Sequence, residues 1–373
     1  MSFKNIEGNE QLKEVLAGMV DSGKIPHAMM FYENDGCGAF AIVQAFLQYV
    51  FCGGDVDESP GAHRVAKLIH PDVKYVYPVN LGAYTTNKKR SDITSVFYIE
   101  HFRKLAMANP YFLEDDLNDA FQLQGRTGGI AVNDAKEIME EIYLSPVEGG
   151  YKAVVIYLPE LMNAPCANKL LKSIEEPPQK TLFLMITHNP DKVIQTISSR
   201  CQHFRVVPQS KVEITSALQN SFGIDGEEAA SLAQQAYGSI GKALWLTRED
   251  SERSQFIDMF NELMDAVAKR DFVMALGVTD ELIALDNKEK QKAFLEFMGE
   301  EIRKIFLCKQ GLESISAIPS QEISHYQNLA KVFHVRFCSH VLKALDQVNL
   351  LYARNVNPKL LVTDFVNRVF MSI

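Results

Sequence analysis

Asn168 to Val206 reads NKLLKSIEEPPQKTLFLMITHNPDKVIQTISSRCQHFRV, and this stretch decides the fold. Its first part is helical as far as Glu175-Glu176. Pro177-Pro178 stops the helix, since two prolines in succession remove backbone donors and clash with the preceding turn. Leu182–Thr187 is an apolar run of strand length, a short helix is expected from about Asp191, and Ser199-Arg200-Cys201 closes the unit. Met29–Tyr32, Val73–Tyr77 and Ala153–Tyr157 are further short, nearly unbroken apolar runs separated by helical segments. Such runs belong to parallel strands buried on both faces, so an α/β domain ending near Pro208 is predicted.

Arg200 stands where a strand and helix unit ends. A planar guanidinium presented to another subunit's γ-phosphate can grip its oxygens bidentately, which an ammonium cannot. The alternative role is capping a helix C-terminus, where positive charge is favourable in any case. The run Asn168-Lys169-Leu170-Leu171-Lys172, then Glu175-Glu176-Pro177-Pro178, then Thr196-Ile197-Ser198-Ser199-Arg200-Cys201, resembles the signature of the AAA+ clamp-loader subunits. The resemblance implies an AAA+ P-loop NTPase-like domain and makes Arg200, flanked by Ser199 and Cys201, a finger aimed at Mg-ATP on the neighbouring subunit.

Upstream, Glu10 to about Asp21 is an amphipathic helix, and Gly23-Lys24-Ile25-Pro26-His27-Ala28 resembles the approach to the first strand in the same family. Strand Met29–Tyr32, loop Glu33–Phe40 and helix Ala41–Val50 have the layout of a phosphate-binding loop. The chemistry of a working loop, G-x-x-x-x-G-K-[ST], is missing. Glu33 replaces the first glycine, Gly36 and Gly38 remain, Ala39 stands at the lysine position and Phe40 at the hydroxyl position. Where the family carries the acids that hold magnesium and activate water, the strand Ala153–Tyr157 ends in Tyr157 and Leu158, with Glu160 two places too late. Both halves of an ATPase site are thus lost, and no tight ATP binding by this chain is expected. Relatives carry a four-cysteine zinc module before His70-Pro71-Asp72. Only Cys52 is left of the four, and Cys52 with His63 cannot complete a tetrahedron, so no metal is expected.

Residues 79–129 form an insertion with the polar tract Thr85–Asp92, three adjacent cations Lys88-Lys89-Arg90, a helical piece near Phe97–Ala108 and an acidic Glu114-Asp115-Asp116. The cations read as a solvated loop, with a DNA or partner contact as the alternative. A helix capped by Asn133 follows, with Ile138, Met139, Ile142 and Tyr143 at helical spacing. Beyond Pro208 the small helices resemble the family's lid, which places a sensor arginine position at Lys242. From Ser251 the pattern is helical to the end, with Phe256, Phe260, Leu263 and Val267 as one aromatic and aliphatic stripe of bundle core. The last segment, Asn355 to Leu360 followed by TDFVNRVF, resembles the final helix of the clamp-loader collar. The domains expected are therefore residues 1–207, a lid at 208–250 and a helical collar at 251–373.

At 373 residues the chain is too long for one core, consistent with this division. A net charge of -9 argues against a surface that grips nucleic acid alone, so any DNA contact should be shared with partners. No apolar run reaches the ~20 residues of a membrane span, and a cytoplasmic protein is expected. The six cysteines are scattered, with neither disulfide framework nor local zinc spacing. Keeping Ser-Arg-Cys while losing both nucleotide motifs resembles the non-hydrolysing, delta-prime-type subunits of the bacterial DNA polymerase III clamp loader. That resemblance implies gamma/tau-like and delta-like partner subunits bound through the C-terminal domain, a sliding clamp, and primed DNA reached indirectly. An active gamma/tau-like ATPase and an unrelated P-loop small-molecule kinase are the alternatives; either would need phosphate-binding groups that these motifs lack.

Overall fold

A computed structural model describes residues 2–54, 59–85, 88–123, 126–148, 150–248, 251–285, 288–312, 318, 322–353 and 356–372. The centre of the Thr85–Asp92 tract, part of the segment after Cys52, residue 250 at the expected lid boundary, and Asn355 lie outside them. The chain divides into two compact units, Met1–Thr247 and Arg248–Ile373.

In the first unit, strands β1 (Ala28–Tyr32), β2 (Val73–Val76), β3 (Lys152–Tyr157), β4 (Thr181–Thr187) and β5 (Gln202–Arg205) form one parallel sheet in the order β2-β3-β4-β1-β5. Its helices are α1 (Glu10–Asp21), α2 (Ala39–Cys52), α3 (Pro60–Ala66), α4 (Ile99–Ala108), α5 (Glu114–Ala120), α6 (Val132–Ile142), α7 (Ala164–Glu175) and α8 (Gln195–Ser198), followed by α9 (Lys211–Phe222), α10 (Gly226–Gln235) and α11 (Ile240–Leu246). Successive strand residues alternate between two cores. Ala28, Met30, Val154, Ile156, Phe183 and Met185 pack with α6 and α7, whereas Met29, Phe31, Val155, Leu184 and Ile186 pack with α2. Because both faces are covered, each central strand must be apolar at every position, which is the continuous pattern the sequence carries. This is an α/β architecture, a parallel sheet covered by helices on both faces, with the glycine loop at the carboxyl end of β1.

The sequence leaves β5 unmarked, and the structure shows why. This edge strand buries only Phe204, stacked on Phe31 with centroids 5.4 Å apart, while Gln202, His203 and Arg205 are exposed. The helix expected from Asp191 is instead a 3₁₀ turn, Pro190–Lys192, and the separate α8, with Val193 extended between them. Asn133 does not cap α6. The cap position is Ala131, whose N–H donates to Asp134 Oδ2 at 3.0 Å, and Asn133 Nδ2 donates to the Ser91 carbonyl at 2.6 Å. Tyr143, placed on that helix's apolar face by its spacing, lies past the end of α6 and is exposed.

The second unit is a bundle of α12 (Ser251–Lys269), α13 (Phe272–Ala284), α14 (Lys288–Lys309), α15 (Ile323–Val332), α16 (Val335–Ala353) and α17 (Pro358–Phe370). Phe256, Phe260, Leu263 and Val267 all lie in its core with Phe294, Phe333 and Phe365. Pro358 opens α17 at the first helical position, and Asn357 Oδ1 accepts from Lys359 N at 3.0 Å. An ion pair is buried there: Glu301 takes Lys304 Nζ at 2.7 Å on one oxygen and the Tyr326 hydroxyl on the other. Both charges are thus paired, as burial requires. No helix among the described residues is long and apolar enough to cross a membrane.

Candidate functional site

Ligands of open parallel sheets bind beyond the carboxyl ends of the strands. Here those ends bring together the Glu33–Gly38 loop from β1, Tyr157 and Leu158 from β3, and His188 from β4. Gly36 (φ 75°) and Gly38 (φ 101°) are both left-handed, a conformation glycine adopts without steric cost, so the loop turns sharply into α2. The amino end of a helix attracts an anion. The group found there is the chain's own Glu33 carboxyl, whose Oε2 accepts from Ala39 N at 2.7 Å. Burial pushes the Glu33 carboxyl up to about 8 and Asp35 up to about 7. His188 Nε2 lies 3.4 Å from Asp35 Oδ1, 3.8 Å from Glu33 Oε1 and 3.4 Å from the Tyr157 hydroxyl. Burial drives that imidazole down to about 4, so the ring is neutral at neutral pH and shares the site with carboxyls that keep their protons well above the usual carboxylate range.

The positions that would carry ATPase chemistry are packed as core. Ala39 is buried, and the Phe40 ring meets Phe102 at 5.6 Å and Phe112 at 5.2 Å. Phe112 also meets Tyr157 at 5.2 Å, so one insertion side chain bridges both altered motifs. Leu158 is a buried non-glycine residue at φ 55°, a conformation that costs of order 1–3 kcal/mol. Its N–H donates to Ile186 O at 2.8 Å, which fixes the turn out of β3. Glu160 is engaged elsewhere: its Oε1 accepts the backbone N–H groups of His188 at 3.0 Å and Asn189 at 3.1 Å.

Tyr111, Phe112 and Leu113, between α4 and α5, run along the glycine loop. A Cβ built on Gly38 would stand 2.8 Å from the Tyr111 ring, and one on Gly36 would stand 2.6 Å from Leu113 Cδ2 and 2.6 Å from Ser239 Oγ. The helices after Pro208 close on the same loop. Ser239 Oγ donates to Asp35 O at 2.8 Å, Gly241 N to Gly36 O at 3.0 Å, and Gln209 Nε2 to Cys37 O at 2.5 Å. Gly241 admits no side chain, because its Cβ would run into the Tyr111 carbonyl and the Gly36 Cα. Lys242 belongs to this part of the site through its backbone, which donates to Ser239 Oγ at 3.0 Å; its ammonium lies 5.1 Å from the Tyr237 ring centroid.

Arg200 lies apart from these residues, between α8 and β5. It is exposed, donates to the Thr196 carbonyl at 2.6 Å and is ion-paired with Glu175 at the end of α7. Ser199 Oγ faces the same carbonyl at 3.5 Å. Cys201 is half-buried, 3.4 Å from Ile197 O and 3.9 Å from Met185 Sδ, and burial raises its thiol to about 11, so it acts as packing rather than as a nucleophile. His70 and Asp72 are both buried. Asp72 accepts from Val147 N at 2.7 Å and Glu148 N at 3.0 Å, which pins the loop before β3 to the start of β2. Among the described residues no group of three or more His, Cys, Asp or Glu is placed to hold a metal ion.

Sequence reasoning missed Tyr111, Phe112, Leu113 and His188. Asn109-Pro110 marks a turn, but nothing local says that the aromatic pair after it will enter a site built more than seventy residues upstream. Glu33 was visible as a misfit to the motif, yet its role as the loop's internal acceptor depends on a side-chain direction that only the fold supplies.

A family model for DNA polymerase III, delta subunit, matches residues 8–210. The gamma subunit of DNA polymerase III from Buchnera aphidicola subsp. Schizaphis graminum is 27% identical over 232 residues, covering 60% of this chain and 58% of that protein. The tau subunit from Escherichia coli K12 is 33% identical over 252 residues, 66% of this chain and 32% of that protein. The tau/gamma subunit from Haemophilus influenzae is 23% identical over 252 residues, 66% and 30% respectively. The chain therefore spans from under a third to under three fifths of the length of these relatives. Since the family match takes in more than half of its residues, the chain belongs to the delta-subunit family of DNA polymerase III clamp-loader proteins.

Proposed function

We propose that this chain is a non-hydrolysing, delta-prime-type subunit of the DNA polymerase III clamp loader, working beside ATPase subunits that open a sliding clamp and place it on primed DNA. One observation carries this reading: the space beside the glycine loop is filled by Tyr111, Phe112 and Leu113, while the lysine, hydroxyl and acid positions hold Ala39, Phe40, Tyr157 and Leu158. A triphosphate there would have to displace buried aromatic rings and would find neither a cation nor a magnesium ligand. The chain then binds no Mg-ATP of its own. Its contribution to hydrolysis is Arg200, offered to the nucleotide of a neighbouring gamma/tau-like subunit.

The present partners of Arg200 are compatible with that task. The Glu175 pair is more than a third exposed on both sides, and such surface pairs contribute about 0–1 kcal/mol. A phosphate developing charge in a water-poor interface outcompetes it, and arginine fingers contribute roughly 10³–10⁵ in rate at the site they serve. The helical unit at the C-terminal end is the assembly element, packing against equivalent domains of gamma/tau-like and delta-like subunits. A second reading, an active ATPase, is favoured by the gamma and tau names of the curated relatives. It requires chemistry that the residues at the loop do not offer.

The test is a loader reconstituted with Arg200→Ala or Arg200→Lys in an assembly shown to be intact. Because several ATP sites operate, Arg200→Ala should remove part of the clamp- and DNA-stimulated hydrolysis and more of the productive loading. Arg200→Lys should rescue poorly, since it keeps the charge and loses the fork. Unchanged hydrolysis and loading with Arg200→Ala would reduce Arg200 to a helix cap.

A further inference from the structure

The insertion at residues 79–129 has no assigned role, and its contacts suggest one. We propose that Tyr111–Glu114 is a built-in occupant of the former nucleotide position, a peptide that joins the glycine loop, the sheet and the lid helices as a bound triphosphate would in a working P-loop protein. The proposal rests on the reading that this chain uses no nucleotide, and it adds what takes the nucleotide's structural place.

Contacts to the loop, the sheet and the lid carry it. The segment follows the loop residue by residue, with Tyr111 against Gly38 and Leu113 against Gly36, so it lies along the path where a phosphate chain would run. The Glu114 N–H donates to Asp35 Oδ2 at 3.0 Å, a main-chain tie to the loop. On the sheet side, Phe112 lies between Phe40 and Tyr157. On the lid side, the Tyr111 ring meets Phe222 of α9 at 6.3 Å, and the Tyr111 carbonyl abuts Gly241 at the start of α11. The acceptor oxygen a triphosphate would bring to the amino end of α2 is supplied by the Glu33 carboxyl. The occupant is itself held in register: Asn109 Oδ1 accepts from Tyr111 N and Asp116 Oδ2 from Leu113 N, both at 2.9 Å. A nucleotide couples lid and core only while it is bound, whereas a covalent occupant couples them always.

Hydrogen exchange of the full chain, with and without Mg-ATP, tests this. In the unmodified protein the amides of 208–247 should be equally protected in both conditions. Tyr111→Ala with Leu113→Ala should speed their exchange by roughly tenfold or more while the amides of β1, β3 and β4 stay protected. Gly241→Ala approaches the same join from the lid side, sets a methyl against the Tyr111 carbonyl, and should give the same pattern. Lid exchange unchanged in these variants would overturn the proposal, and so would a rise spread equally over lid and sheet. Slower lid exchange on adding Mg-ATP to the unmodified chain would overturn both the proposal and the non-hydrolysing reading beneath it, whereas the variant results would overturn the proposal alone.

Discussion

The carboxyl end of the sheet, where a nucleotide of the chain's own would sit, and the edge that carries Arg200, proposed to serve a neighbour's nucleotide, have been treated in opposite ways. At the first, Ala39, Phe40, Tyr157 and Leu158 stand at the reactive positions and the space is filled by the insertion. At the second, the arginine remains exposed and is held by a surface ion pair, the Thr196 carbonyl and the Ser199 hydroxyl. A site that serves only its own chain can lose its chemistry and be packed as core, gaining stability from the packing. A residue that serves a neighbour has to stay on the surface, where it does little for its own fold. The two regions should therefore respond differently to substitution.

The largest effect is expected at the filled site. Phe112→Ala removes a buried ring that touches Phe40, Phe102 and Tyr157, and should lower the stability of the first unit by about 3–5 kcal/mol in denaturant unfolding. A loss below about 1 kcal/mol would mean that the segment only covers the site. Gly36→Ala should cost roughly 1–3 kcal/mol, because it combines a left-handed residue with a methyl forced against Leu113 and Ser239. By contrast Arg200→Ala should change unfolding by less than about 1 kcal/mol, as expected of an exposed pair. A larger loss there would show that Arg200 supports the fold and would blur the contrast.

The acid cluster gives a pH signature on the same side of the comparison. Glu33 and Asp35 are raised in the folded protein, to about 8 and about 7, so the native state holds protons that the unfolded chain has released. Their contribution is complete at low pH and is lost as pH rises through those values. His188 acts in the opposite sense, but only between about 4 and its ordinary value of 6.5, above which it is neutral in both states. Stability should therefore fall from pH ~6.5 to ~8, and Glu33→Gln should flatten that slope. An unchanged slope in Glu33→Gln would place the titrating group elsewhere.

Much of the fold was legible because burial on both faces leaves a continuous trace, as in Leu182–Thr187, and because Pro177-Pro178 leaves the helix no continuation. β5 was not legible, since an edge strand with a single buried residue, Phe204, carries no such trace. Around the candidate site, Ala39 and Phe40 stood out against the phosphate-loop pattern, and Tyr157 and Leu158 against the stretch that the resembled family carries. What replaced the lost groups could not be read in this way, because Phe112 and Glu33 acquire their roles through contacts between distant segments. The C-terminal stripes around Phe260 and Leu263 announced a bundle, while the surface that would meet other subunits has no periodicity to distinguish it.

The contrast between a packed site and an exposed arginine stands or falls on nucleotide binding by the chain alone. Calorimetric titration of the isolated full chain with Mg-ATP measures it directly. The packed site predicts no saturable heat up to the highest concentration reached, and the same silence with ATP lacking magnesium. A dissociation constant in the micromolar range, lost on substitution of Gly36 or Gly38, would contradict it.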